Sequence, residues 1–153
     1  MGAPIYNALT TADVNFSTVK SIFGVKAHAN SGLIVKSAWV EFQGIVATGE
    51  PVLVELCYAT FATNSPGTNS TTETPVQTSG RVLTAGFTAG RNWTVEPTAL
   101  TPFEAHFIHP QAGIVYQIPL GDEPDCALAE GFVIRCTAAV AVDARAGMRV
   151  SRC

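Results

Sequence analysis

Two histidines lie close enough in the sequence to suggest a metal site. His106 and His109 are three residues apart, in a segment whose apolar residues alternate as in a β-strand. Residues three apart on a strand point to opposite faces, so both imidazoles could bind one metal only if the backbone bends at Pro110. No carboxylate or cysteine completes a familiar ligand set. We therefore predict no metal ligand and no cofactor-binding residue.

The sequence also lacks the residue patterns of the enzymes that a β fold would suggest. The H-x-H pair with which cupins hold their metal is absent, and so is a G-x-S-x-G nucleophile motif. Cys136 follows Arg135 and could be an activated thiol. It shares strand parity with Phe132 and Ile134, however, and this indicates a buried side chain. We predict no catalytic residue and no enzymatic activity.

Aromatic side chains are the remaining candidates for a ligand site. Trp39, Trp93, Tyr58 and Tyr116 could form a platform on which a sugar stacks, although core packing is the commoner use of aromatic residues. Trp93 is the best candidate ligand surface, because Arg91-Asn92-Trp93 lies near predicted borders between loop and strand. A carbohydrate-binding or receptor-binding module is therefore an alternative function.

The composition favours a protein that hides surface in an assembly. Charged residues make up 14% of the 153-residue chain and the mean hydropathy is +0.25, whereas a typical soluble domain has about 25% charged residues. The nine Lys and Arg residues are spread along a chain of net charge −3, which argues against nucleic acid as a partner. No apolar run approaches the length of a membrane span, so no membrane is expected either.

Cysteine usage points to a reducing compartment. No two of the four cysteines form a C-x-x-C pair, and the sequence opens with neither a basic segment nor an apolar one of the kind that directs secretion. We expect reduced thiols in a cytosol of the bacterial type. Cys57 and Cys136 are expected in the core, while Cys153 could be exposed.

Alternation of apolar and polar residues with a period of two dominates the chain and predicts an all-β fold. About eight strands separated by turn signals are typical of an antiparallel β-sandwich, and a jelly roll of about eight strands fits this length best. An immunoglobulin-like sandwich is the alternative. The predicted strands begin near Val19, Leu33, Val52, Asn92, Pro102, Gly113, Phe132 and Val140.

Two segments fall outside this pattern. Residues 1–14 precede the first clear strand and are predicted to form an N-terminal arm, with residues 15–153 forming a single β-sandwich domain. Ile5, Tyr6 and Leu9 are apolar side chains that a frayed terminus would not need, so they are candidates for contact with a neighbouring molecule. Residues 63–80 are rich in Thr, Ser, Asn, Pro and Gly and are predicted to be a long exposed loop.

Three stretches resemble a known class of proteins: ALTTADVNFSTVKSIFGV, EPVLVELCYAT and HPQAGIVYQIPLG. They are similar to small virion proteins encoded near the major capsid gene in tailed phages of actinobacteria. The resemblance extends from about Ala8 to about Val150 and implies a capsid decoration (cement) protein, made in the host cytoplasm and placed on the capsid exterior. It further implies the major capsid protein as partner and a homotrimer at capsid three-fold positions. With such a partner, Ile5, Tyr6 and Leu9 become candidates for contact with the capsid or with a neighbouring copy.

Overall fold

The computed structural model describes residues 2–44 and 49–153. The predicted end of the second strand at Ile45 lies outside these ranges. The described residues form thirteen strands and contain no helix long and apolar enough to cross a bilayer. The strands are β1 Ile5–Leu9, β2 Val14–Phe16, β3 Val19–Lys26, β4 Leu33–Phe42, β5 Val52–Thr60, β6 Thr71–Glu73, β7 Val76–Ser79, β8 Thr88–Arg91, β9 Leu100–Ile108, β10 Gly113–Gln117, β11 Asp125–Cys126, β12 Glu130–Thr137 and β13 Val142–Arg152.

The described strands assemble into two antiparallel sheets packed face to face. Sheet 1 has the order β10-β4-β13-β1-β7, with β11 also paired to β4 and β2 also paired to β13. Sheet 2 has the order β6-β8-β3-β12-β5-β9. The predicted all-β antiparallel sandwich is confirmed, whereas the jelly roll stays a prediction. Most neighbours within a sheet are distant in sequence, because the chain changes sheet at eight connections: β2 to β3, β3 to β4, β4 to β5, β6 to β7, β7 to β8, β9 to β10, β11 to β12, and β12 to β13.

The core lies between the inner faces of the two sheets. Alternate residues point inward, as the pleat of a strand requires. From sheet 1 these include Tyr6, Val40 and Met148, and from sheet 2 Phe132 and Ile134, all at most 1% exposed. Burying side chains of this size stabilises the fold by about 1.5–3 kcal/mol each before chain entropy is counted.

β-Bulges reverse the inward-outward alternation along three of the longer strands, and a fourth lies in β7 between Gln77 and Ser79, beside β1. Beside β12, β3 carries an extra residue between Ser21 and Phe23. Beside β13, β4 carries one between Val35 and Ser37, and beside β5, β9 carries one between Pro102 and Glu104. Because side chains alternate with a period of two, one inserted residue moves all residues beyond it to the other face.

The bulges correct two expectations about which residues face the core. Alternation with a period of two, read directly from the sequence, puts Val19 on the face of Phe23 and Phe107 on the face of Phe103. Instead Val19 is 48% exposed and Phe107 is 74% exposed, both on the outer face of sheet 2. The bulge in β9 turns the side chains of Glu104 and His106 inward, towards the edge between the two sheets.

The structure places the segment predicted as an N-terminal arm inside sheet 1. Residues 5–9 form β1, which pairs with β13 on one side and β7 on the other. Tyr6 is 1% exposed, packs edge-on against Phe87 with 5.5 Å between ring centroids, and donates a hydrogen bond to Leu83 O at 2.9 Å. Tyr6 is therefore a core residue and not a contact residue. The five-residue strand was too short for its alternation to be recognised.

Two further segments differ from the expectation. The predicted loop 63–80 contains β6, which pairs with β8, and β7, which pairs with β1. Both are short polar edge strands without apolar alternation. The strand expected at Asn92–Glu96 lies earlier, as β8, and ends where Asn92 adopts a positive φ of 54°. A left-handed residue of this kind terminates strand geometry.

Candidate protein-binding faces

Of the two histidines, His106 forms part of a polar tie between the two sheets, whereas His109 Nδ1 accepts a hydrogen bond from Gln111 N at 3.1 Å. His106 Nε2 lies 3.0 Å from Glu104 Oε2, and Tyr116 on β10 donates a hydrogen bond to Glu104 Oε1 at 3.0 Å. This hydrogen bond raises the pKa of Tyr116, because the phenol donates its proton to the carboxylate. The described residues include no group of three or more His, Cys, Asp or Glu side chains placed to hold a metal.

Trp93 is buried and cannot serve as a ligand surface. Its side chain is 1% exposed and packs with Phe61 and Val133 against the outer face of sheet 2. Its Nε1 donates a hydrogen bond to Asn64 O at 2.7 Å. Gly24 permits this contact, since a Cβ there would lie 3.0 Å from Trp93 Cη2. Trp93 thus holds the segment after β5 against sheet 2, and the predicted ligand role is wrong.

The other three aromatic candidates do not gather into one platform. Tyr58 packs against Phe103 and Phe132, with ring centroids 4.7 and 5.3 Å away. Tyr116 belongs to the tie described above. Trp39 lies on the outer face of sheet 1, where it is half-buried. Tyr58 is more exposed, at 37%, but its ring packs against Phe103 and Phe132, so of the four Trp39 is the one that lies open on an outer sheet face.

The buried thiols are not arranged for nucleophilic chemistry. Cys57 and Cys136 are fully buried, which confirms their prediction as core residues, and Cys126 is buried too. Burial raises the pKa of Cys57 and of Cys126 to about 11, and it raises that of Cys136 as well. A catalytic thiol needs the opposite shift. Cys153 is exposed, as expected.

A row of apolar residues crosses the outer face of sheet 1 on four adjacent strands. The register aligns Val115 of β10 with Trp39 of β4, Trp39 with Gly147 of β13, and Gly147 with Leu9 of β1. We call these four residues the Trp39 row. Val115 is 59% and Leu9 43% exposed. Leu9 is therefore available for contact as predicted, although on a sheet and not on an arm, and Ile5 is half-buried on the same face.

Gly147 is the residue that lets Trp39 lie against the sheet. A Cβ at position 147 would lie 2.3 Å from Trp39 Cζ2 and 2.7 Å from Cε2, well inside van der Waals contact. The absence of a side chain therefore makes a slot that the indole fills. Trp is the residue most often responsible for binding energy at protein interfaces, together with Tyr and Arg.

Polar rows border the Trp39 row on both sides. On one side the register pairs Glu41 with Arg145 and Gly113, and on the other it pairs Arg149 with Ser37 and Asn7. Arg145 forms an ion pair with Asp13, and the hydrogen bond from Arg145 lowers the pKa of that carboxyl. An apolar centre with a polar border is the usual anatomy of a protein interface.

A second apolar row crosses the opposite face of the sandwich. On the outer face of sheet 2 the register aligns four residues, which we call the Phe107 row: Phe107 of β9, Leu53 of β5, Thr137 of β12 and Val19 of β3. Beside it, Arg135 donates a hydrogen bond to Glu55 at 2.8 Å, and the pair is half-buried. The Trp93 cluster covers another part of this face, around Ala59 and Val133, whereas Phe107 and Val19 are exposed.

One of these two faces is partly visible in the sequence pattern. Gly147 is an outward-facing position of an otherwise regular last strand, and a glycine inside a strand marks a close approach. The Phe107 row had no such signal, because two bulges bring its ends to the surface. Comparison of the chain with protein-family models, with curated proteins and with solved structures finds no match.

Proposed function

We propose that this chain is a virion structural protein that decorates a phage capsid and binds the major capsid protein lattice as an oligomer. One observation carries the proposal: each of the two opposite outer faces of the sandwich has an exposed cross-strand apolar row. Monomeric soluble proteins rarely expose large apolar patches, and such patches usually mark interaction sites. A subunit of a shell needs both faces, one for its own copies and one for the lattice.

The assignment of the two faces follows from their charges. The Phe107 row lies beside the Glu55–Arg135 pair, whose charges already satisfy each other. That face therefore offers a mainly apolar contact, and we assign it to the capsid lattice. The low charge of the chain and its resemblance to decoration proteins support the same role. Repetition over many lattice sites would allow a modest single contact to stabilise the whole shell.

The test is co-sedimentation of the full chain with capsids that lack it. The wild type is expected to pellet with the capsids. Phe107→Asp should reduce the bound amount at least tenfold, because it places a charge in the proposed contact. Phe107 is an exposed side chain, so the variant should fold, and far-ultraviolet circular dichroism checks that it does.

Val82→Asp provides a matched control, because Val82 is 90% exposed in the connection between β7 and β8. This variant should pellet like the wild type. A wild-type chain that stays in the supernatant overturns the proposal, and so does a Phe107→Asp variant that binds as well as the wild type.

A carbohydrate-binding role is the second candidate function. Because Trp93 is buried, the candidate sugar-stacking residue is now Trp39. The half-buried indole of Trp39 lies on the outer face of sheet 1 and offers a ring face on which a sugar can stack. A glycan array with wild type and Trp39→Ala tests it. Binding that Trp39→Ala abolishes supports this function, while an array without any bound glycan removes it.

A further inference from the structure

The two borders of the Trp39 row carry opposite charges that have no partner within the described chain. Glu41 and Arg149 are both exposed, and neither forms an ion pair with any described residue. Along β4, the residues Ser37, Trp39 and Glu41 follow one another on the outer face. Ser37 pairs with Arg149 of β13 and Trp39 pairs with Gly147, so Arg149 and Glu41 lie on opposite sides of the row. Asp13 neutralises Arg145 on the Glu41 side. One border is therefore net negative and the other net positive.

This arrangement is self-complementary in one orientation only. A two-fold axis running along the Trp39 row, in the plane of the contact, turns the second copy over so that its Arg149 border lies above the first copy's Glu41 border. A two-fold axis running along the strands would instead place Arg149 opposite Arg149. In a two-fold contact the same patch of both copies meets, so each pair of different residues occurs twice. A complementary charge pair therefore stabilises the contact at two places, and a repulsive pair destabilises it at two places.

We propose that the outer face of sheet 1 binds a second copy of this chain through a two-fold contact along the Trp39 row. Trp39, Val115 and Leu9 form its apolar centre, and two Glu41–Arg149 pairs, one from each copy to the other, flank it. Face-to-face sheets pack about 10 Å apart in aligned sandwiches, which suits an interface of side chains of this size. This inference rests on the proposed function, in which copies associate, and it replaces the trimer that the resemblance implies with a two-fold pair.

A charge exchange tests the contact directly. Light scattering of the wild type at about 100 μM should give twice the monomer mass. Glu41→Arg and Arg149→Glu should each weaken association at least tenfold, since each variant opposes like charges at two places. The double variant should restore the dimer, because it exchanges the two charges without losing complementarity. Asp122→Arg and Arg81→Glu make the same charge changes at exposed positions away from the face and should remain dimers.

The position of the axis can be tested by cross-linking. Residues of the Trp39 row should face their own counterparts, so Leu9→Cys in a Cys153→Ser background should be joined to the same residue of the second copy by a short bis-maleimide reagent, which spans the gap between packed sheets that a direct disulfide cannot. Val76→Cys in the same background is the matched control. Val76 is exposed and pairs with Asn7, in the border beside the row, and should not cross-link to itself.

The outcomes separate this inference from the proposed function. A monomeric or trimeric wild type, or a double variant that stays dissociated, overturns the two-fold contact. A wild type that fails to dimerise but pellets with capsids contradicts the two-fold contact alone. A dimer that never pellets supports the two-fold contact and contradicts the capsid role.

Discussion

At the scale of single residues, the Trp39–Gly147 pair determines the shape of the outer face of sheet 1. A glycine inside a strand weakens the strand, because glycine loses more conformational entropy on folding than other residues and has no side chain to pack. Here the indole of the neighbouring strand fills the space that the glycine leaves. Because the indole of Trp39 lies over Gly147, a large aromatic ring lies at the centre of this face. Sequence periodicity identified Trp39 as outward-facing, but the slot beneath it required the register of β4 against β13.

Gly147→Ala should destabilise the protein by about 1–3 kcal/mol, because the new methyl group overlaps the indole and strains the packing. In a Trp39→Ala background the cost should be smaller, since the closest remaining atom is Ala8 O at 2.9 Å. Urea unfolding of the four proteins gives the coupling energy, which we expect to exceed about 1 kcal/mol.

Gly2→Ala is the control for the glycine change, because no atom lies within 4 Å of the added methyl group. Its unfolding midpoint should match that of the wild type. Strictly additive costs at positions 39 and 147 would contradict the contact described here.

At the scale of elements, the bulges explain where sequence reasoning succeeded and where it failed. The long strands around Val40, Val54, Ile134 and Met148 alternate regularly, and their existence and inner faces were predictable. An inserted residue leaves no mark in a periodic pattern, so the reversal of β3 and β9 was not predictable. Strands of three to five residues, such as β1, β6 and β7, give too few repeats of the pattern to be distinguished from loops.

The bulge in β9 can be tested with two phenylalanines that the simple alternation treats as equivalent. Phe103→Ala should cost about 2–3 kcal/mol, because Phe103 packs against Tyr58 and Phe132. Phe107→Ala should change stability by less than about 0.5 kcal/mol, since its ring is 74% exposed. Thermal unfolding of both variants measures the difference. Equal costs would show that β9 keeps an unbroken alternation.

At the scale of the whole molecule, a polar tie closes each side of the sandwich. On one side Glu73 is buried, forms an ion pair with Arg91, and accepts hydrogen bonds from Thr11 N at 2.9 Å and Thr11 Oγ1 at 3.1 Å. Thr11 follows β1 in sheet 1, whereas Glu73 and Arg91 belong to sheet 2. On the other side the Glu104, His106 and Tyr116 tie is half-exposed.

The two ties should differ in strength because they differ in burial. Arg91→Ala should cost about 3–5 kcal/mol, since it leaves the Glu73 carboxylate buried without its cation. His106→Ala should cost less than about 1 kcal/mol, because water screens an exposed pair. Denaturant titration compares the two variants. Adding Glu73→Gln to Arg91→Ala should recover part of the loss, and a further loss instead would contradict the buried-charge explanation.

The central position of β13 has a consequence for the synthesis of the protein. β13 pairs with β4 on one side and with β1 and β2 on the other, so it joins the two halves of sheet 1. Sheet 1 therefore cannot close on the ribosome until residue 152 has emerged, and until then β4 and β1 have uncovered apolar faces and unpaired edges. A chain cut before β13 should therefore accumulate as aggregate, because unpaired strand edges bind the edges of other chains.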